Sequence, residues 1–149
     1  MTRLTGVGWL MADSDMLQKL GSVPLFEGLS DNELKDVLGR TRVVEHDADR
    51  EIVEEGHGSV GFHLILDGSV TVLQNGEVRR TLGPGEYFGE ISLIDGKPRS
   101  ATIRTDAPVR TLSLAAWSFA PLLDAHPSMA GKLLLGLCGH LRAAEARDR

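Results

Sequence analysis

Between residues 42 and 114 the chain is written in short runs of alternating apolar and polar residues, each closed by a turn signal. The runs are Arg42-Val43-Val44-Glu45, Glu51-Ile52-Val53-Glu54, Phe62-His63-Leu64-Ile65-Leu66, Ser69-Val70-Thr71-Val72-Leu73, Glu77 to Leu82, Ala101 to Thr105 and Val109 to Leu114. Side chains of a strand alternate between its two faces, so such runs predict strands with one buried face. Asp67-Gly68 and Asn75-Gly76 fall between runs, where a hairpin needs residues that tolerate positive φ. Short strands at near-even spacing predict a barrel or a roll, not alternating βαβ units.

Helical patterns precede and follow this stretch. Asp13-Ser14-Asp15 can cap a helix carrying Met16, Leu17 and Leu20 that ends at Gly21. Ser30-Asp31-Asn32-Glu33 is a capping box, with Leu34, Val37 and Leu38 as the apolar face and Gly39 at its close. After the strands, Ser118 caps a short helix with Pro121 in its first turn, and His126-Pro127 breaks it. Ser128 starts a longer helix in which Leu133, Leu134, Leu137 and Leu141 recur at helical spacing. The expected organisation is a flexible segment over residues 1–12 and one domain over 13–149. Within that domain, helices span 13–41, a β-roll 42–114, and a C-terminal helix pair 115–147.

Composition narrows the function classes. A net charge of -5 argues against non-specific binding to nucleic acid, which needs a surplus of Lys and Arg on one face. Cys138 is the only cysteine, so no internal disulfide forms and a reducing, cytoplasmic compartment fits. Its apolar neighbours predict an inert buried thiol. No run approaches the roughly 18 apolar residues of a membrane span. The start, with Arg3, Leu4, Val7, Trp9 and Leu10 interrupted by Gly6 and Gly8, reads as a terminus and not as a secretory leader.

One segment departs from the strand pattern: Gly83 to Gly89, Glu90-Ile91-Ser92-Leu93-Ile94, Asp95 to Pro98, then Arg99-Ser100-Ala101-Thr102. Gly89 lets the backbone approach a ligand, since no Cβ stands in the way. The five residues after it suit a single helical turn, whose first amides and partial positive charge form an anion site. Arg99 can return to the same place, and its planar fork matches two phosphate oxygens. Ser100 and the Ala101 amide add neutral donors. A carboxylate beside a phosphate is repulsive, so Glu90 makes sense facing a hydroxyl that donates to it. Together Glu90 and Arg99 read a molecule with adjacent hydroxyl and phosphate groups, such as a ribose phosphate.

At these residues the sequence resembles the phosphate-binding cassette of the cyclic-nucleotide-binding domain family. The likeness rests on Phe88-Gly89-Glu90-Ile91-Ser92-Leu93 and Arg99-Ser100-Ala101-Thr102. It extends to Gly56, Gly68-Ser69-Val70, Gly83-Pro84-Gly85 and His126-Pro127, and so to roughly residues 15–145. The resemblance implies a mainly β fold: an eight-stranded antiparallel β-roll, jelly-roll-like, with N-terminal helices and a C-terminal helix pair. It implies that Arg99 meets the cyclic phosphate and Glu90 the ribose 2′-hydroxyl, with contacts from Gly89, Ile91, Ser100 and Ala101. Val72 and Tyr87 are implied as walls near base and sugar. Asp49 stands where relatives often carry Gly, and His57 where an acidic residue is common. Where relatives contact the base from the last helix, this chain has Ala144 and Glu145, so His140 or Arg142 is the candidate lid. Ser100 favours cAMP, with cGMP as the alternative.

The expected function is therefore a non-enzymatic regulatory receptor of bacterial cAMP-receptor type, with no cofactor and no metal. Its signal would pass through movement of the C-terminal helix to an identical subunit or an effector protein. No helix-turn-helix is visible, so nucleic acid is not an expected partner, and with no run long enough to span a bilayer neither is a membrane. Two other readings stay open: a cupin-like metalloenzyme on a similar roll, and a structural module that has lost its ligand. His46, His57 and His63 invite the metal reading, but they lack a His-x-His pair and read as loop or surface residues.

Overall fold

The computed structural model describes residues 3–5, 10–53, 61–97 and 101–147. Two compact units emerge, one from Met1–Val7 with Thr41–Phe119 and one from Gly8–Arg40 with Ala120–Arg149.

The first unit is the roll. Its strands are β1 (Arg3–Thr5), β2 (Arg42–His46), β3 (Glu51–Val53), β4 (Gly61–Asp67), β5 (Val70–Gln74), β6 (Glu77–Leu82), β7 (Tyr87–Phe88), β8 (Thr102–Thr105) and β9 (Val109–Ala115). They form two antiparallel sheets, ordered β1-β2-β9-β4-β7 and β3-β8-β5-β6. The roll of strands implied by the resemblance is thus present between residues 42 and 115, with β1 added at the edge. Within residues 1–12, expected to be flexible, β1 pairs with β2 and Leu10 already belongs to a helix.

A core fills the space between the sheets: Ile65, Phe88 and Val109 from one, Val70, Val72, Leu82 and Ile103 from the other. Each such buried side chain contributes about 1.5–3 kcal/mol. Asn75 and Gly76, with φ of 54° and 78°, make the two-residue turn between β5 and β6. Strand β4 breaks the expected alternation, since Gly61 through Leu66 are all buried. A strand covered on both faces has no polar side to show, and α3 (Glu90–Asp95) packs on this one. His63 is therefore buried and not at the surface. Its Nδ1 lies 2.8 Å from Ser113 Oγ, and its ring stacks on Phe88 with centroids 4.9 Å apart.

Asp49 holds a left-handed backbone, φ 56°, while its amide donates to the Thr105 carbonyl (2.9 Å). Side chains resist this conformation by about 1–2 kcal/mol, Asp less than most. Asp49→Gly is expected to raise stability by about 0.5 kcal/mol, after the added chain entropy of glycine is subtracted. Chemical denaturation of both proteins checks this; a loss of stability would show that the side chain contributes more than its backbone costs.

The second unit holds α1 (Leu10–Gly21), a 3₁₀ turn at Pro24–Phe26, α2 (Asp31–Gly39) and α5 (Met129–Arg147), with most of α4 (Phe119–Ala125). Helix α1 starts ahead of the Asp13 cap read from the sequence, so Asp13 and Asp15 lie inside it. The capping box forms as predicted: the Glu33 amide donates to Ser30 Oγ (3.2 Å) and the Ser30 amide to Glu33 Oε1 (2.8 Å).

Glu33 then does more. Lys132 Nζ donates to its Oε1 (2.6 Å) and Ser128 Oγ to its Oε2 (2.8 Å), although the carboxylate side chain is only 5% exposed. Ser128, directly before α5, thus ties the start of that helix to Glu33. Close by in sequence, His126 Nε2 meets Asp36 Oδ2 at 2.7 Å.

Helix α5 buries Met129 and Leu133 and packs on the 3₁₀ turn. At Gly136 a Cβ would lie 2.8 Å from the Pro24 and Leu25 carbonyl oxygens, so only glycine permits this approach. Cys138 lies two residues past that contact, about 200° around the helix, and is exposed, not buried as its neighbours suggested. Among the described residues no helix is long and apolar enough to cross a membrane.

Candidate functional site

The turn from β7 into α3 sets the site. Gly89 caps α3 with φ 92° and ψ 11°, a conformation that L side chains resist. Its carbonyl accepts from the Leu93 amide (3.0 Å), closing the first turn. The amides at the start of such a turn have no partner within the helix and point outward. At the other end, Gly96 is left-handed (φ 70°) and its amide returns to the Ser92 carbonyl (3.0 Å). The Lys97 amide closes onto Asp95 Oδ1 (2.9 Å).

Beside this turn lies a groove of about 360 Å³, within the usual range for small-molecule sites. Val72, Gly89, Glu90, Ile91 and Ala101, all predicted from the sequence, line it. Val72 is buried, Glu90 and Ala101 are half-buried, and Ile91 is exposed. Arg99 and Ser100, as well as Gly56, His57 and Pro98, lie outside the described residues.

Tyr87 does not line the groove. Strand neighbours face opposite ways, so Phe88 looks into the groove while Tyr87 packs on Phe62, ring centroids 5.8 Å apart. His140, half-buried, and Arg142, exposed, sit on α5 in the helical unit.

The groove also holds residues that sequence reasoning missed: Arg80, Ser92, Asp95, Lys97 and Ile103. Arg80 is the instructive one. A register shift between Val72 and Leu73 pairs Leu73 with Val78 and Val72 with Arg80, leaving Arg79 as the extra residue. Such a bulge re-aims the following side chains. The Arg79-Arg80 doublet was visible in the sequence, but nothing there said which of the two would face the groove.

Among the described residues no three His, Cys, Asp or Glu side chains gather as a metal site. The groove brings together the start of a glycine-capped helical turn, the Glu90 and Asp95 carboxylates and apolar strand residues. Fold and groove define a ligand-binding β-roll.

Residues 43–126 match the model of the cyclic nucleotide-binding domain, more than half of the chain, and the chain belongs to that family. The cyclic nucleotide-gated potassium channel mll3241 of Mesorhizobium japonicum is 34% identical over 113 residues, covering 76% of this chain and 31% of the channel. The chain thus spans about a third of that relative's length. A cyclic nucleotide-binding domain from Methylobacillus flagellatus superimposes with a TM-score of 0.78 at 26% identity, over 98% of this chain and 84% of the other. The N-terminal domain of a transcriptional regulator from Streptomyces coelicolor gives 0.76 at 26% identity, over 87% and 93%.

Proposed function

We propose that this chain is a non-enzymatic regulatory receptor that binds a cyclic nucleotide in the α3 groove. The observation that carries this reading is the convergence of Gly89, Glu90, Ile91, Ala101 and Val72 on one groove beside a glycine-started helical turn. The cyclic phosphate meets Arg99, with Ser100 and the backbone around Gly89, Ile91 and Ala101 as neutral donors. The ribose 2′-hydroxyl donates to Glu90. Of the three readings left open by the sequence, family membership supports this one over the metalloenzyme. By resemblance, Ser100 points to cAMP, with cGMP as the alternative.

Binding shifts an equilibrium between open and closed forms, and α5 carries the change, with His140 or Arg142 as lid. Leu134 (64% exposed), Leu135 (74%) and Leu141 (56%) give α5 an apolar surface for an identical subunit or an effector protein. Neither nucleic acid nor membrane is a proposed partner, and a single exposed thiol suits a cytoplasmic protein.

Titration calorimetry with cAMP and cGMP tests the reading, and saturable binding of at least one is expected. Glu90→Gln is expected to weaken binding by about 1 kcal/mol, the difference between a charged and a neutral acceptor. If the 2′-deoxy analogue binds the wild type as tightly as its parent, the ribose role of Glu90 is wrong.

A further inference from the structure

We propose that His63, which does not itself line the groove, positions the Gly89 turn through Phe88 and so sets how tightly the site holds its nucleotide. This rests on the groove being the nucleotide site. Phe88 lines the groove and directly precedes Gly89, so its place fixes where the first turn of α3 begins. Yet β7 is two residues long and meets β4 in two register pairs, His63 with Phe88 and Leu64 with Tyr87. So short a ladder holds a strand weakly, and the cross-strand side-chain pairs must hold the rest.

The His63 ring lies nearly parallel on that of Phe88, with centroids 4.9 Å apart and planes at 17°. Such a stack fixes Phe88 only if the imidazole is itself fixed. On its other side His63 pairs in register with Ser113 of β9, whose Oγ lies 2.8 Å from His63 Nδ1. Ser113 Oγ in turn meets Thr111 Oγ1 at 3.0 Å, and Thr111 is fully buried. Ile65 and Phe88 belong to the core between the sheets, and residues two apart on a strand share a face, so His63 points into that core too. A polar ring there costs free energy unless it is hydrogen-bonded. A phenylalanine would fill the same space without that cost. What the histidine adds is a set plane, because its bond to Ser113 orients the ring on which Phe88 rests. The line Thr111, Ser113, His63, Phe88 thus runs from β9 to the start of α3.

Calorimetry with cAMP and cGMP on wild type, Ser113→Ala, Ser113→Thr, His63→Phe and the double variant His63→Phe/Ser113→Ala tests this. Ser113 does not line the groove, so an effect of its hydroxyl on affinity has to travel through His63. Ser113→Ala and His63→Phe each break the bond, and each is expected to weaken binding by about three- to tenfold, the span of one net hydrogen bond. The double variant is expected to lose no more than either single one, because both changes break the same bond. Ser113→Thr keeps the hydroxyl and is expected to bind like wild type. Val43→Ala serves as the control: Val43 is buried next to Arg42, the residue paired with Ser113, and so faces away from that row. It is expected to lower stability in denaturant and leave affinity unchanged, since a weakened protein that stays folded loses no competent fraction. Unchanged affinity in Ser113→Ala and His63→Phe, or an equal loss in Val43→Ala, overturns the positioning role and leaves the receptor reading standing. Additive losses in the double variant overturn it too, since the two residues would then act separately. No binding of either cyclic nucleotide by wild type overturns both readings.

Discussion

Arg99→Ala is expected to weaken cyclic-nucleotide binding by about 3–5 kcal/mol, the range for removing one partner of a desolvated charge pair. The groove explains why the effect should be large. Glu90 and Asp95 both line it, so an entering phosphate meets two carboxylates as well as the start of α3. Without a guanidinium in the cassette, helix amides alone must outweigh that repulsion, and a short helix end contributes only about 0.3–1 kcal/mol toward an exposed anion. Lys97 and Arg80 supply positive charge at the rim, but neither belongs to the fork-and-amide arrangement read from residues 99–101. Arg99→Lys separates charge from geometry and is expected to fall between wild type and alanine, because an ammonium cannot bond two oxygens in one plane. Calorimetry on the three proteins checks the order. Unchanged affinity in Arg99→Ala would remove the residue from the site.

The largest effect on stability is expected at Glu33. The Lys132 ammonium first, then the Ser30 amide and the Ser128 and Ser30 hydroxyls, hold its carboxyl down to about 2 from an ordinary 4.5, while burial pushes the other way. A group whose folded value is depressed stabilises the protein above its unfolded value, and that stability drains away as pH falls. The window here runs from about 4.5 down to about 2. Lys132→Met leaves a buried carboxylate with fewer donors and is expected to lower stability at pH 7 by about 1–3 kcal/mol. Glu33→Gln cannot titrate, so its stability is expected to change less with pH between 5 and 2 than that of wild type. Denaturant unfolding over a pH series measures both. Parallel pH curves for Glu33→Gln and wild type would show that the carboxylate is not held as described.

Local rules carried much of the fold. The Asn75-Gly76 hairpin, the Ser30–Glu33 box and the Gly89 turn each depend on residues within four positions of one another, and sequence shows those directly. Period-two runs located the longer strands, whereas β7, two residues long, has no period to read. Most of what the sequence does not show depends on partners distant along the chain. The box gave no hint that Glu33 also binds Lys132, 99 residues away. His63 reads as a loop or surface residue for want of a His-x-His pair, whereas β4 buries it beside Ser113, 50 residues on. Tyr87, implied by the resemblance as a wall, packs on Phe62 instead, and a two-residue strand has no period to show that Phe88 is the one that faces the groove. The bulge that turns Arg80 inward shows only in the pairing of β6 with β5. For the site, the cassette was legible because its residues are contiguous; the strand wall was not.

The twin bonds from the α4–α5 region to α2, His126 to Asp36 and Lys132 with Ser128 to Glu33, have a practical meaning for anyone cutting or splicing this chain. The helical body is woven from segments on both sides of the roll in sequence. A fragment beginning at residue 41 would not shed a dispensable leader. It would strand Lys132, Ser128 and His126 without their acceptors and strip from Gly136 the backbone it was shaped to meet. A fusion built on this domain must carry residues on both sides of the roll, Gly8–Arg40 as well as Ala120–Arg149.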